Sequence, residues 1–113
     1  VRYSLEFKNM FVSEDAFFAA TRWLEDQEYL KNGSINHEKI NNAEYIAKLF
    51  WSLNVLGYTS DRSCRDIEEI TAVMGGKVGH STIAKNRLTT TDVGIKSYNN
   101  LFYNFPKYEM KIN

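Results

Sequence analysis

The stretch NNAEYIAKLFWSLNVLG, residues 41–57, decides the fold of this 113-residue chain. Asn41 and Glu44 make a capping-box-like start and Gly57 supplies a left-handed stop, so the stretch predicts a helix. Apolar residues surround that helix almost completely: Ile46, Ala47, Leu49, Phe50, Trp51, Leu53, Val55 and Leu56. A narrow polar stripe remains at Glu44, Lys48 and Ser52. A helix that is apolar nearly all round is expected to be the central core element.

On the N-terminal side of this stretch, residues 13–33 predict a second long helix. Ser13 is suited to the N-cap, and Val12 and Phe17 are spaced as a hydrophobic staple. The inner stripe is expected to contain Phe17, Ala20 and Leu24, flanked by Trp23 and Leu30. Asn32-Gly33 is the expected stop of this helix.

The two ends of the chain alternate between apolar and polar residues. Val1, Tyr3, Leu5 and Phe7 alternate with polar residues over residues 1–8, and Tyr108, Met110 and Ile112 do so at the C-terminus. A period of two predicts a half-buried strand at each end. These strands could pair with each other or with those of a second copy, and an isolated ribbon would need support from the helices.

On the C-terminal side, residues 89–105 predict a last helix, capped by Thr89 and Asp92 and ended by Pro106. Its stripe is rich in aromatic residues: Ile95, Tyr98, Leu101, Phe102 and Phe105. Such a stripe is more often core or dimer interface than a binding platform. The elements together predict one globular domain over residues 1–113, mostly α, with four to five helices and short terminal strands. An α+β arrangement is the alternative.

Residues 63–88, SCRDIEEITAVMGGKVGHSTIAKNRL, predict two short helices joined by a turn that contains glycine. Ser63 and Asp66 form the cap of the first helix, which carries Ile67, Ile70, Thr71 and Met74 on one face, and Gly75 or Gly76 ends it. Ser81 is the expected N-cap of the second helix. Ile83, Ala84 and Leu88 are expected to face the core, leaving hydroxyl, ammonium and amide groups on the other side.

The segment Ser81-Thr82-Ile83-Ala84-Lys85 resembles the start of recognition helices in helix-turn-helix regulators, over a region of about two dozen residues. The turn from Gly75 to His80 is about two residues longer than in that family. The resemblance implies DNA binding through the second helix. The expected groove-facing residues are Thr82, Lys85, Asn86 and Thr89. The expected phosphate-positioning residues are Lys77, His80, Ser81, Arg87 and Lys96. A helix pair with a merely solvated polar face would give the same pattern.

The charge of the chain is balanced overall but uneven along its length. Fourteen basic and fourteen acidic residues give a net charge of zero, which argues against a strongly basic nucleic-acid binder. From Lys77 to Lys111, however, six basic residues face two acidic ones. Cys64 is the single cysteine, so a cytoplasmic setting is expected, and no apolar run is long enough to span a membrane.

The residues that catalysis or metal binding would require are few. Cys64 and His80 could form a thiolate–imidazole pair, but free cysteines are usually packing residues. One cysteine and two histidines do not match a zinc site, and Gly75-Gly76-Lys77 lacks the Ser or Thr and the preceding strand of a phosphate loop. No catalytic residue, metal or cofactor is therefore predicted, and the chain is not expected to be an enzyme.

Two functions remain open from the sequence. The first is a helix-turn-helix protein, a regulator or a partition or replication adaptor, that binds double-stranded DNA as a homodimer. On that hypothesis the terminal strands would form a wing or a dimer ribbon. The second is an immunity protein or antitoxin that neutralises a toxin protein. Its contact surface is predicted around Glu25, Asp26, Glu28 and Tyr29, facing a basic partner.

Overall fold

The structure, a computed structural model, describes residues 3–88, 102 and 104–109. In these residues the chain forms α1 (Leu5–Asn9), α2 (Glu14–Asp26), β1 (Leu30–Lys31), β2 (Ser34–Ile35), α3 (Ala43–Val55), α4 (Cys64–Val73) and α5 (His80–Lys85). The predicted mostly helical fold with short strands is confirmed. Within the described residues, none of the helices combines the length and the apolar character needed to cross a bilayer.

Helix α3 is the central element, as predicted. The side chain of Asn42, one residue after the expected cap, accepts a hydrogen bond from the amide of Tyr45. Gly57, at a φ of +90°, ends the helix. Eight consecutive residues, 46–53, are buried. The prediction of a polar stripe was wrong for Lys48 and Ser52, which are buried because neighbouring elements cover α3 on that side too.

Helix α2 begins as predicted but ends earlier. The Ser13 side chain accepts a hydrogen bond from the Ala16 amide, and Phe17, Ala20 and Leu24 are buried. The helix stops at Asp26, because Glu28 adopts a left-handed φ of 64° and the Tyr29 amide bonds to the Leu24 carbonyl. The expected stop at Asn32-Gly33 was therefore wrong.

Asn32 and Gly33 instead form the two-residue loop of a β-hairpin. Their φ values of 55° and 81° match a type I′ turn, for which Asn-Gly is a strong sequence signal. Leu30 pairs with Ile35 and Lys31 with Ser34 in an antiparallel register. Leu30 and Ile35 are buried, so the hairpin packs one face onto the core.

The N-terminal strand was also a wrong prediction, because Leu5–Asn9 is helical. Ser4 caps α1 by accepting a hydrogen bond from the Phe7 amide. Phe7, Met10 and Phe11 then follow a helical spacing, and all three are buried. The Phe7 ring lies 5.1 Å from the Phe11 ring and 6.3 Å from the Phe50 ring, measured between centroids. The alternating pattern of residues 1–8 therefore overlaps a helical pattern of buried residues that begins at Phe7.

Residues 104–109, which we call the C-terminal strap, run back across α2 and the end of α3. The Tyr58 hydroxyl donates to the Pro106 carbonyl at 2.7 Å, and the Tyr108 amide donates to the Leu56 carbonyl at 3.0 Å. The Phe105 ring stacks on Trp23 with centroids 4.2 Å apart. Most of the helix predicted over 89–105 lies outside the described residues. Of the predicted C-terminal strand only 108 and 109 are described, and both lie in irregular chain.

Candidate nucleic-acid interface

Helix α4 forms as its caps predict. The Ser63 side chain accepts a hydrogen bond from the Asp66 amide at 3.1 Å. At the other end, Gly75 takes a φ of +83°, and the Gly76 amide bonds to the Thr71 carbonyl at 2.8 Å. This pattern is a Schellman motif, which satisfies the last carbonyls of the helix. The buried face of α4 carries the residues predicted for it: Ile67, Ile70, Thr71 and Met74.

The turn between α4 and α5 is attached to the β-hairpin. The Ile35 amide donates to the Met74 carbonyl at 2.9 Å, and His37 Nε2 lies 2.7 Å from the Gly75 carbonyl oxygen. Gly76 is packed so closely that an added Cβ would come 3.1 Å from Cδ1 of Ile35. The turn thus lies in a fixed position relative to the hairpin.

Helix α5 is shorter than predicted and begins earlier. Gly79, not Ser81, is its N-cap residue, and no side chain caps it. The helix ends at Lys85, where the Asn86 side-chain amide donates to the Thr82 carbonyl at 2.8 Å. Ala84, predicted to face the core, is exposed. Of the six residues of α5, Ile83 is the one that is buried.

Two contacts hold α5 against α3. Ile83 is fully buried, and its carbonyl accepts a hydrogen bond of 2.8 Å from the indole nitrogen of Trp51. The Arg87 guanidinium lies over the Trp51 ring, 4.9 Å from its centroid. Because α5 ends at Lys85, the Ile83 carbonyl lacks a partner in the next turn of helix, and the indole supplies one. Trp51 is therefore a residue of this site that the sequence predicted only as core.

The outer side of α5 presents polar groups. At about 100° per residue, Ser81 and Lys85 each lie roughly 160° from Ile83, and both are exposed. Lys77 and His80 are exposed beside them, whereas Thr82 and Asn86 are half-buried. Thr89 and Lys96 lie outside the described residues, so the structure brings together seven of the nine predicted residues.

The charges around this surface are mixed, with basic residues in excess on α5 and after it. Lys77 and Glu68 line one open depression of about 340 Å³ at the turn, together with Ala72, Gly76, Val78 and Gly79. Lys85 and Arg87 have no carboxylate within ion-pair distance among the described residues. The arrangement can donate hydrogen bonds and offer positive charge to an anionic polymer.

Groups that could hold a metal ion are missing from the part of the chain that the structure describes: no three His, Cys, Asp or Glu side chains converge there. Comparison of the chain with protein-family models, with curated proteins and with solved structures found no match. A function for this site therefore has to be argued from the residues that form it.

Proposed function

We propose that this chain binds double-stranded DNA through α4 and α5, with α5 entering the major groove. The observation that carries the proposal is the two-sided character of α5. Ile83 and Trp51 fix it from the inside, and Ser81 and Lys85 lie exposed on the opposite side. An α-helix with its side chains is about 10 to 12 Å across, which fits a major groove about 12 Å wide.

The proposed roles follow the exposure of each side chain. Lys85 would contact base edges or phosphates from the outermost position, and Thr82 and Asn86 would contact bases from the side of the helix. The phosphates would be positioned by Lys77, His80, Ser81 and Arg87. Arg87 suits this role because it is exposed while its guanidinium lies over the Trp51 ring. Thr89 and Lys96 stay in the proposal as sequence predictions. We propose a cytoplasmic homodimer as the binding species.

The test is DNA binding by a double variant. Fluorescence anisotropy of a labelled random-sequence duplex, titrated at several salt concentrations, measures affinity and its salt dependence. Lys85→Ala with Asn86→Ala should weaken binding and reduce the log–log salt slope by about 1, because one phosphate contact is lost. The matched control is Lys31→Ala with Asn41→Ala, which removes the same residue types from exposed positions elsewhere.

Two results would contradict the proposal. One is a wild-type protein that fails to bind the duplex even at low salt. The other is a Lys85/Asn86 double variant that binds with the affinity and slope of the Lys31/Asn41 control. Circular dichroism of each variant establishes that the folded state is retained.

A second candidate function is neutralisation of a basic toxin protein, and the acidic end of α2 favours it. Asp26 and Glu28 are exposed there, beside Glu25, which accepts a hydrogen bond from the Tyr3 hydroxyl. Such a surface attracts a positively charged partner. Tyr29 is half-buried against Phe102, so it adds less to this surface than the sequence suggested.

A pull-down separates the two candidate functions. Toxin binding predicts a partner that resists nuclease treatment and is lost with Asp26→Lys and Glu28→Lys. It also predicts that the Lys85/Asn86 double variant retains that partner. DNA binding predicts that nuclease treatment removes the captured material and that the Asp26→Lys and Glu28→Lys variants retain it. It also predicts that the Lys85/Asn86 double variant loses it.

A further inference from the structure

The outer side of α2 carries a stripe of three exposed residues, Glu14, Phe18 and Arg22, spaced four apart. We call this the α2 stripe. Residues four apart lie on the same side of a helix, so the three side chains form one row. Phe18 is 56% exposed, although Phe7, Phe11 and Phe17 of the neighbouring aromatic cluster are buried. A large ring at the centre of a solvent-facing row has no role in the core.

The α2 stripe is unpaired within the described part of the chain. Neither the Glu14 side chain nor the Arg22 side chain takes part in an ion pair or hydrogen bond there, and the only ring contact of Phe18 is with its neighbour Phe17. Two other acidic residues on that side of the helix already have partners. Tyr108 donates a hydrogen bond to Asp15, and Tyr3 donates one to Glu25. Glu14 is thus an acidic group with no cation assigned to it.

The order of the stripe is self-complementary. Glu14 and Arg22 each lie about 6 Å along the helix axis from Phe18, in opposite directions and with opposite charge. If a second α2 is laid antiparallel across the first with Phe18 at the two-fold axis, Phe18 meets Phe18 and each Glu14 meets the Arg22 of the other copy. A two-fold interface has this property, because one patch serves both partners.

We propose that the α2 stripe is the docking surface for a second copy of this chain. The inference rests on the homodimer part of the proposed function and not on any contact with DNA. It replaces the terminal-strand ribbon as the dimer element, since α1 occupies the place of the predicted N-terminal strand. One pair of short helices makes a small interface, so the dimer should be of micromolar affinity.

The first test is the association state without DNA, measured by sedimentation equilibrium over the micromolar range. Phe18→Glu should raise the dimer dissociation constant by roughly a hundredfold, because two rings lose their buried surface and two like charges meet. The matched control is Val73→Glu on α4, a residue 49% exposed, which should dimerise like the wild type.

The second test uses charge reversal and is specific to antiparallel pairing. Glu14→Arg alone and Arg22→Glu alone should each weaken the homodimer by about tenfold, because each places like charges opposite one another twice. An equimolar mixture of these two single variants should associate with wild-type affinity, since every facing pair is then opposite in charge. Both single variants are checked for wild-type helicity by circular dichroism.

Three results would overturn the docking surface: a wild-type protein that is monomeric throughout, a Phe18→Glu variant that dimerises like the wild type, or single charge variants that do not associate when mixed. Duplex binding measured on the same samples keeps the two proposals apart. A monomer that binds DNA refutes the α2 interface and the homodimer part of the proposed function, but leaves DNA binding through α5 standing. A dimer that does not bind DNA refutes the DNA proposal alone.

Discussion

Replacement of Trp51 by phenylalanine should loosen the docking of α5, because a phenyl ring cannot donate a hydrogen bond to the Ile83 carbonyl and holds the Arg87 guanidinium more weakly. The lost hydrogen bond to the Ile83 carbonyl leaves a buried acceptor unsatisfied, which costs about 1 to 3 kcal/mol. Weaker stacking of Arg87 adds about 0.5 kcal/mol. We therefore expect Trp51→Phe to lower the free energy of unfolding by about 1.5 to 3.5 kcal/mol.

Urea unfolding followed by far-ultraviolet circular dichroism measures this loss. Native-state hydrogen exchange locates it, since the amides of Ile83 and Asn86 bond within α5 and should exchange faster than those of α3. The matched control is Trp23→Phe. Trp23 stacks on Phe105, and its ring nitrogen has no acceptor among the described residues, so the control loses ring area without a hydrogen bond.

If Trp51→Phe destabilised the protein no more than Trp23→Phe, or by less than about 0.5 kcal/mol, the indole hydrogen bond would not be what holds α5 in place. Hydrogen exchange that rose uniformly over the chain, and not first in α5, would show that Trp51 does not act on the docking of α5 in particular. If α5 binds DNA as proposed, a looser α5 should also weaken duplex binding, because the side chains proposed to face the groove would then be ordered only on contact with DNA.

Three further predictions concern a helix end, a helix cap and a buried phenol. Glu28→Gly should raise the free energy of unfolding in urea by about 0.5 to 1 kcal/mol, because a φ of 64° suits glycine better than glutamate; an unchanged or lower value would contradict this. Ser63→Ala should lower it by about 1 kcal/mol and speed exchange of the Asp66 amide, and equal exchange rates would exclude the cap. Burial, with a smaller contribution from Tyr108, raises the pKa of Tyr58 above its ordinary value of 10.0. The unfolded chain therefore loses that proton first, and stability should fall as the pH rises above 10.0. In Tyr58→Phe, urea midpoints should fall less steeply with pH over the same range.

The helix ends were the features most accessible from sequence. Ser13 and Ser63 cap the helices predicted to follow them, and Gly57 and Gly75 end the helices before them. Each of these residues acts on amides or carbonyls within one turn, so no knowledge of distant contacts is needed. Glu28 escapes this rule, since nothing in a glutamate side chain signals a left-handed backbone.

The wrong predictions arise where two periods fit the same residues or where burial depends on other elements. The alternation of residues 1–8 predicts a strand, although Ser4 caps a helix and a row of buried residues with helical spacing begins at Phe7. Ser52 is polar, yet it is fully buried because neighbouring elements pack on that side of α3. Neither outcome follows from local pattern.

In the candidate site, too, some features follow from the local sequence and others depend on distant residues. The exposure of Lys85 and Ser81 follows from their spacing relative to Ile83, a local property. The length of α5 and its attachment through Trp51 do not, because the indole and the Ile83 carbonyl come from positions 32 residues apart. Such a long-range hydrogen bond does not change the spacing of apolar residues in either segment, so the sequence pattern cannot predict it.

The C-terminal strap and Phe102, which lies two residues before it, have a consequence for synthesis of the chain on the ribosome. Phe102 and Phe105 are buried and cover Tyr29 and Trp23, which belong to segments translated much earlier. A nascent chain stopped before residue 102 would leave those aromatic rings in water. Completion of the core should therefore wait until the strap has emerged, and products truncated before it should be recognised by chaperones or proteases.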